Sequence, residues 1–140
     1  MRKTIISVLT IFALFSSYVH GQSGEIQETI DKINKLLGGK TIVSFEKEEL
    51  IVKVSKNGKL FRRDRAYVRY LNADATGYLP DEWSVVLRCT RKAVDCVDRR
   101  LYVRKKRQQY SRLTILIKGN EGVKDELVDN FKKLIMLCQE

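Results

Sequence analysis

The sequence predicts an α+β domain in which an antiparallel sheet of six or seven strands lies between a leading and a closing helix. Two observations carry this reading. Apolar residues recur at helical spacing near both ends of the chain, and between them they recur at every second residue, broken by turn formers such as Asn57-Gly58.

A segment of different character comes first. Met1-Arg2-Lys3 is a short positive stretch, and the apolar run Ile5 to Phe15 that follows is too short to cross a bilayer as a stable helix. Val19 and Gly21 supply the small residues a signal peptidase needs, so residues 1–21 read as a signal peptide and the mature chain as starting at Gln22. No Cys stands near that point, which argues against a lipid anchor; the alternative is an uncleaved N-terminal anchor. Residues 22–140 then form one β-rich domain, exported to the periplasm or beyond, with no transmembrane segment after cleavage.

Ser23 is placed to cap the first helix. Its apolar stripe is Ile26, Ile30, Ile33 and Leu37, with Glu25 and Glu28 in the first turn and Lys35 in the last, and Gly38-Gly39 ends it. The period then changes to two. Val43 and Phe45 mark one strand, Leu50, Val52 and Val54 the next, and Asn57-Gly58 supplies the left-handed backbone of a tight hairpin. The run Leu60 to Leu71 mixes aliphatic residues with Arg62, Arg63, Arg65 and Arg69, so its inward face is ambiguous and it is expected to bend or split. Asn72 to Glu82, with Gly77 and the single proline Pro80, reads as the longest loop. Trp83, Val85, Leu87 and Cys89 share a face of the following strand; Val97, Leu101 and Val103 share one on the next, and Leu113, Ile115 and Ile117 on the last. Asn120 is expected to cap a final helix whose stripe is Val123, Leu127, Phe131, Leu134 and Cys138.

Export makes the three cysteines candidates for oxidation. Cys89 and Cys96 flank a turn-like stretch between two alternating runs, so a Cys89–Cys96 bridge is expected, with Cys138 a buried thiol on the last helix. A bridge from Cys138 to either other cysteine stays open, because spacing does not fix connectivity.

A strand meander closed by one amphipathic helix resembles a pleckstrin-homology-like split barrel; cystatin-like and nuclear-transport-factor-like (NTF2-like) curved sheets are the alternatives. A second resemblance is carried by Val86-Leu87-Arg88-Cys89, Asp95-Cys96-Val97, Tyr110-Ser111-Arg112-Leu113 and Leu134-Ile135-Met136-Leu137-Cys138. With the leader, these are similar to a loose group of small exported bacterial proteins, frequent in Bacteroidetes, that have no assigned activity. The resemblance implies export, a β-rich domain with a final helix and three recurring cysteines, and it implies no catalytic residues.

Charge is the main functional signal. Between Arg88 and Arg112 ten residues are Arg or Lys and only Asp95 and Asp98 are acidic, so this stretch carries net +8, and the rest of the mature chain balances to zero. A one-sign cluster makes a field that attracts anions. Along Cys96 to Arg104 the even positions Asp98, Arg100, Tyr102 and Arg104 share the face opposite Val97, Leu101 and Val103. Lys105, Lys106, Arg107 and Tyr110 extend that charge through what reads as a connection. Adding Arg99 and Arg112 completes the candidate anion-binding set, in which Arg supplies forked hydrogen bonds and Tyr supplies stacking. The competing reading is a charged edge that prevents strand-to-strand aggregation.

Catalysis and metal chemistry find little to use. The only histidine, His20, lies in the leader, which removes Ser-His and Cys-His nucleophile pairs and most zinc or copper sites. Asp81-Glu82 reads as a loop end, and Asp95 and Asp98 as partners for nearby arginines. Gly38-Gly39 and Gly119 to Gly122 lack the strand and lysine context of a phosphate loop. The expected function is therefore an exported, non-enzymatic binding module without cofactor or metal. Its partner would be a lipid headgroup, lipopolysaccharide, an acidic glycan or an acidic protein; export argues against nucleic acid. The alternative is a structural or inhibitory scaffold that contacts another protein and has no specific anion site.

Overall fold

The computed structural model describes residues 23–139, so the proposed leader, including His20, lies outside the described residues. Helix α1 covers residues 23–37 and buries Ile30 and Ile33. Ser23 is itself helical rather than the residue before the helix. At the other end Gly38 (φ 75°) donates its amide to the Asn34 carbonyl at 3.2 Å, a left-handed cap that glycine adopts without steric cost.

Strands β1 (Thr41–Glu46), β2 (Glu49–Lys56) and β3 (Lys59–Tyr67) form two consecutive hairpins. Both turns carry two positive-φ residues, Asn57-Gly58 as expected and Lys47-Glu48 (φ 50° and 67°) without a turn-forming signature. β1 is a sheet edge, and α1 covers part of it. The Asn34 side chain donates to the Val43 carbonyl at 2.9 Å and accepts from the Val43 amide at 2.7 Å, satisfying both backbone groups.

The third apolar run does split. Val68–Tyr70 form a 3-10 turn, after which β4 (Leu71–Leu79) runs through most of the expected long loop. Asn72 lies opposite Arg88 and Gly77 opposite Val86, so the intervening residues bulge out of the ladder. Asn72 accepts from the Asp74 amide at 3.0 Å and from the Thr76 hydroxyl at 3.2 Å, so the turn-forming residues close a bulge rather than a loop. Only Pro80–Glu82, a second 3-10 turn, interrupts the chain before β5 (Ser84–Cys89). Trp83 precedes that strand in the left-handed region (φ 47°) and is 42% exposed, so it does not share the Val85 and Leu87 face.

β6 (Val97–Leu101), β7 (Lys106–Tyr110) and β8 (Arg112–Leu116) complete the strands. Lys106–Tyr110, expected as a connection, is thus an edge strand, and Val103, expected to face inward, is exposed in the turn before it. Among the described residues there are eight strands in two antiparallel sheets, ordered β1-β2-β3-β6-β7 and β4-β5-β8. The order is not a sequential meander, because β6 returns to β3 and β8 to β5. The chain changes sheet between β3 and β4, between β5 and β6, and at Ser111 between β7 and β8. Backbone bonds from Cys89 to Ser111 (3.0 Å) and from Thr90 to Tyr70 (2.7 Å) draw these crossings together, and the Cys89–Cys96 disulfide closes the loop between β5 and β6.

Glu121–Val123 form a 3-10 turn leading into α2 (Lys124–Gln139). Asn120 makes no side-chain cap; its amide group donates to the Leu36 carbonyl at 2.9 Å and ties the two helices together. α2 docks on β4 and the Val68–Tyr70 turn, burying Leu127, Phe131, Leu134 and Ile135. The core is one cluster to which both helices and both sheets contribute, among them Ile33, Leu50, Leu87, Ile115 and Phe131. Among the described residues no helix is long and apolar enough to cross a membrane.

Cys138 remains a free thiol, half-buried, and burial pushes its pKa up to about 11. It is therefore protonated and unreactive at neutral pH. Iodoacetamide at pH 8 is expected to leave Cys138 unmodified in the folded protein and to modify it in urea, while non-reducing peptide mapping recovers Cys89 linked to Cys96. A peptide joining Cys138 to either other cysteine would overturn the pairing.

Candidate anion-binding face

Strand alternation sorts the arginines of β3 and β6 onto two faces. Arg62, Asp64 and Ala66 share the buried face of β3, and Arg63, Arg65 and Tyr67 the outer one. On β6, Arg99 falls with Val97 and Leu101 on the inner face, while Asp98 and Arg100 point out.

The inner face holds a buried ionic cluster. Asp64 is fully buried and accepts two bonds from Arg99, from Nε at 2.8 Å and Nη2 at 3.1 Å. Arg62 Nε lies 3.4 Å from the same carboxylate. Both arginines reach β8 in the other sheet. Arg62 Nη2 donates to the Thr114 carbonyl at 2.7 Å, Arg99 Nη2 lies 3.4 Å from the Thr114 hydroxyl, and the Arg99 guanidinium sits 4.5 Å from the centre of the Tyr110 ring. Burial pushes the Arg62 pKa down, opposed by Asp64 and assisted by Arg99. Arg99 therefore joins the two sheets on the inner face, while Tyr110, on β7 of the same sheet, packs its ring against Arg99 and donates its hydroxyl to Gln108. Arg112 is also engaged elsewhere, with Glu82 at 2.8 Å.

The outer face is different. Ladder register places Lys53 opposite Arg63, Arg63 opposite Arg100, and Arg100 opposite Arg107, so four cations stand side by side across β2, β3, β6 and β7. The neighbouring row contains Ile51, Arg65, Asp98 and Gln109. Asp98 accepts from Arg107 Nε at 2.9 Å and Nη2 at 2.7 Å and lies 3.6 Å from Arg65, which also approaches Glu49 at 3.7 Å. The hydrogen bonds from Arg107 hold the Asp98 carboxyl below its usual pKa against the opposing effect of burial, and Arg65 and Arg63 add to the lowering. Among the described residues Lys53, Arg63 and Arg100 make no ion pair.

Arg100 stacks 5.0 Å from the centre of the Tyr102 ring, and the turn from Tyr102 to Lys105, with Lys105 at φ 47°, carries Arg104 at an exposed tip. A groove of about 590 Å³ opens between this hairpin and β3, with Arg63, Arg100, Tyr102, Lys105, Lys106 and Arg107 around it. Five of the nine residues expected from sequence thus line one groove, joined by Arg63 and Arg65, which sequence reasoning had not assigned. The signal for them was present, since Ala66 and Val68 fix the parity of β3. Among the described residues no cluster of three or more metal-ligating side chains forms. No family model, curated protein or solved structure matches the chain.

Proposed function

We propose that the protein is an exported, non-enzymatic binding module whose five-stranded sheet docks an anionic partner on its outer face. One observation carries the reading, the register row Lys53, Arg63, Arg100, Arg107. Like charges directly opposite one another on adjacent strands destabilise a sheet. An anion laid across the strands reverses that cost, and arginine forks suit phosphate, sulfate and carboxylate groups. The Cys89–Cys96 bridge supports an oxidising compartment, in keeping with the leader pattern. The non-enzymatic reading rests on the lack of histidine after His20 and on Asp98 and Glu49 being held by arginines. The closing helix seated on one sheet supports the pleckstrin-homology-like reading, whereas the β3–β6 and β5–β8 pairings speak against it.

The test compares two variants of equal charge. Arg63→Ser/Arg100→Ser should elute from heparin at clearly lower salt than Arg91→Ser/Lys92→Ser, whose residues lie exposed in the disulfide loop. Relief of repulsion should leave the first variant as stable as the parent or more so, by about 0.2–1 kcal/mol per like-charge pair removed. Equal elution of the two variants would leave the charge as solvated surface and favour the scaffold alternative.

A further inference from the structure

We infer that the tip of the β6–β7 hairpin is a processing site, where an endopeptidase specific for paired basic residues cuts between Lys105 and Gln108 and leaves a two-chain protein that stays assembled. The inference needs no ligand and stands apart from the anion-binding reading.

Among the described residues, adjacent cations occur at Arg62-Arg63, Arg91-Lys92, Arg99-Arg100, Arg104 to Arg107 and Lys132-Lys133. A protease cleft takes an extended, unpaired segment of several residues, so regular structure at the site must first open. That closes four of the five. Arg62-Arg63 lies in β3, paired on both sides by β2 and β6, and Arg99-Arg100 lies in β6 between β3 and β7. Lys132-Lys133 lies inside α2, beside the buried residues Phe131 and Leu134. Arg91-Lys92 is exposed, but its loop is bridged between Cys89 and Cys96, seven positions apart, whose Cα atoms are held at 5.8 Å. A loop pinned in this way cannot extend, because an open chain of that length would span several times the distance.

The fifth place is open. Residues 102–105 form a turn, and every residue from Val103 to Gln109 is exposed, Val103 by 77%. Arg104, Lys105, Lys106 and Arg107 give three overlapping basic pairs there. Beyond the turn, β7 is a sheet edge that pairs with β6 alone, and Tyr110 is its first residue packed against the core. Among the described residues Arg104, Lys105 and Lys106 make no ion pair, and the pair between Arg107 and Asp98 involves an arginine side chain that is 70% exposed. Such a surface pair adds little resistance. Peeling β7 from the edge therefore uncovers no core and presents the extended basic segment a protease needs.

The reaction is hydrolysis of one peptide bond. Water adds its oxygen to the carbonyl carbon before the cut, the C–N bond breaks, and the nitrogen leaves with a proton. The new ends are a carboxylate and an ammonium group. No covalent bond then joins the pieces, since the Cys89–Cys96 bridge lies wholly in the first and Cys138, in the second, is a free thiol. The core joins them instead. β8 pairs with β5, and Leu113, Ile115, Leu127 and Phe131 of the second piece are buried in one cluster with Ile33 and Leu50 of the first. Polar ties cross the same boundary, from Arg62 Nη2 to the Thr114 carbonyl at 2.7 Å and from Gln139 Nε2 to the carbonyls of Val68 (2.9 Å) and Leu71 (2.8 Å). A cut at the tip removes none of these.

The purified protein would be digested under native conditions with kexin, an endopeptidase that cleaves after paired basic residues, and followed by intact mass. The expected result is a single early cut between Lys105 and Gln108. The two pieces should separate in a denaturing gel run without reductant, yet elute together at the position of the uncut protein in native size-exclusion chromatography. Lys105→Ser/Arg107→Ser leaves single cations at the tip and should lose that cut, whereas Arg91→Ser/Lys92→Ser, with the same change in charge, should be cut as the parent is. A first cut elsewhere, cutting of the tip variant at the parent's rate, or separation of the pieces under native conditions would overturn the inference.

Discussion

Asp64→Ala is expected to destabilise the protein by about 3–5 kcal/mol, read as a lower midpoint of urea denaturation, because it leaves two buried guanidinium groups without their counter-charge. Asp64 is fully buried, and the side chains of Arg62 and Arg99 are only 16% and 15% exposed. Neither arginine can swing into water without breaking its contact with Thr114 in the opposite sheet. The loss measures the cost of an unpaired buried charge, not a net gain from the cluster, since removing three ionic groups from water is itself unfavourable. The triple variant Arg62→Met/Asp64→Leu/Arg99→Met should therefore recover most of the lost stability. Equal midpoints for Asp64→Ala and the parent would mean that water reaches the cluster.

That cluster also marks where sequence reading fails. The helices and the first hairpins are legible because each presents one apolar face to a core built largely from near neighbours. Strand order is not legible in this way. β3 meets β6 across 35 residues of sequence, through the Asp64–Arg99 pair, and no local periodicity encodes that encounter. β7 escapes notice for a different reason. Lys106, Arg107, Gln108 and Gln109 form an edge exposed on both faces, so no apolar alternation develops. β4 is hidden by Asn72, Asp74 and Gly77, whose turn chemistry serves a bulge.

At the candidate site, total charge is legible but its partition between faces is less so. The alternation that turns Arg100 outward necessarily turns Arg99 inward, and counting charges without applying that parity places Arg99 on the wrong side. Arg63 is lost through the same ambiguity in β3. A polar residue in the middle of a strand gives no hint of whether a buried counter-charge awaits it, and here Asp64 is that counter-charge.

Phe131→Ala is expected to cost about 3–5 kcal/mol, near the upper part of the range for losing a buried aromatic. The size of the effect depends on whether neighbours can move into the space. Phe131 is fully buried on α2, in the stripe with Leu127, Leu134 and Ile135 that faces β4 and the Val68–Tyr70 turn. The helix is held at both ends. Asn120, just before it, binds the Leu36 carbonyl at 2.9 Å, and Gln139 Nε2 donates to the carbonyls of Val68 (2.9 Å) and Leu71 (2.8 Å). A helix pinned in this way cannot slide to close a cavity, so the transfer and cavity contributions should both appear. Lys133→Ala, on the exposed side of the same helix, should change stability by no more than about 0.5 kcal/mol. The denaturation slope should stay unchanged in both variants, since neither alters the surface exposed on unfolding by much. Equal midpoints for the two would show that α2 does not bury the Phe131 face against the sheet.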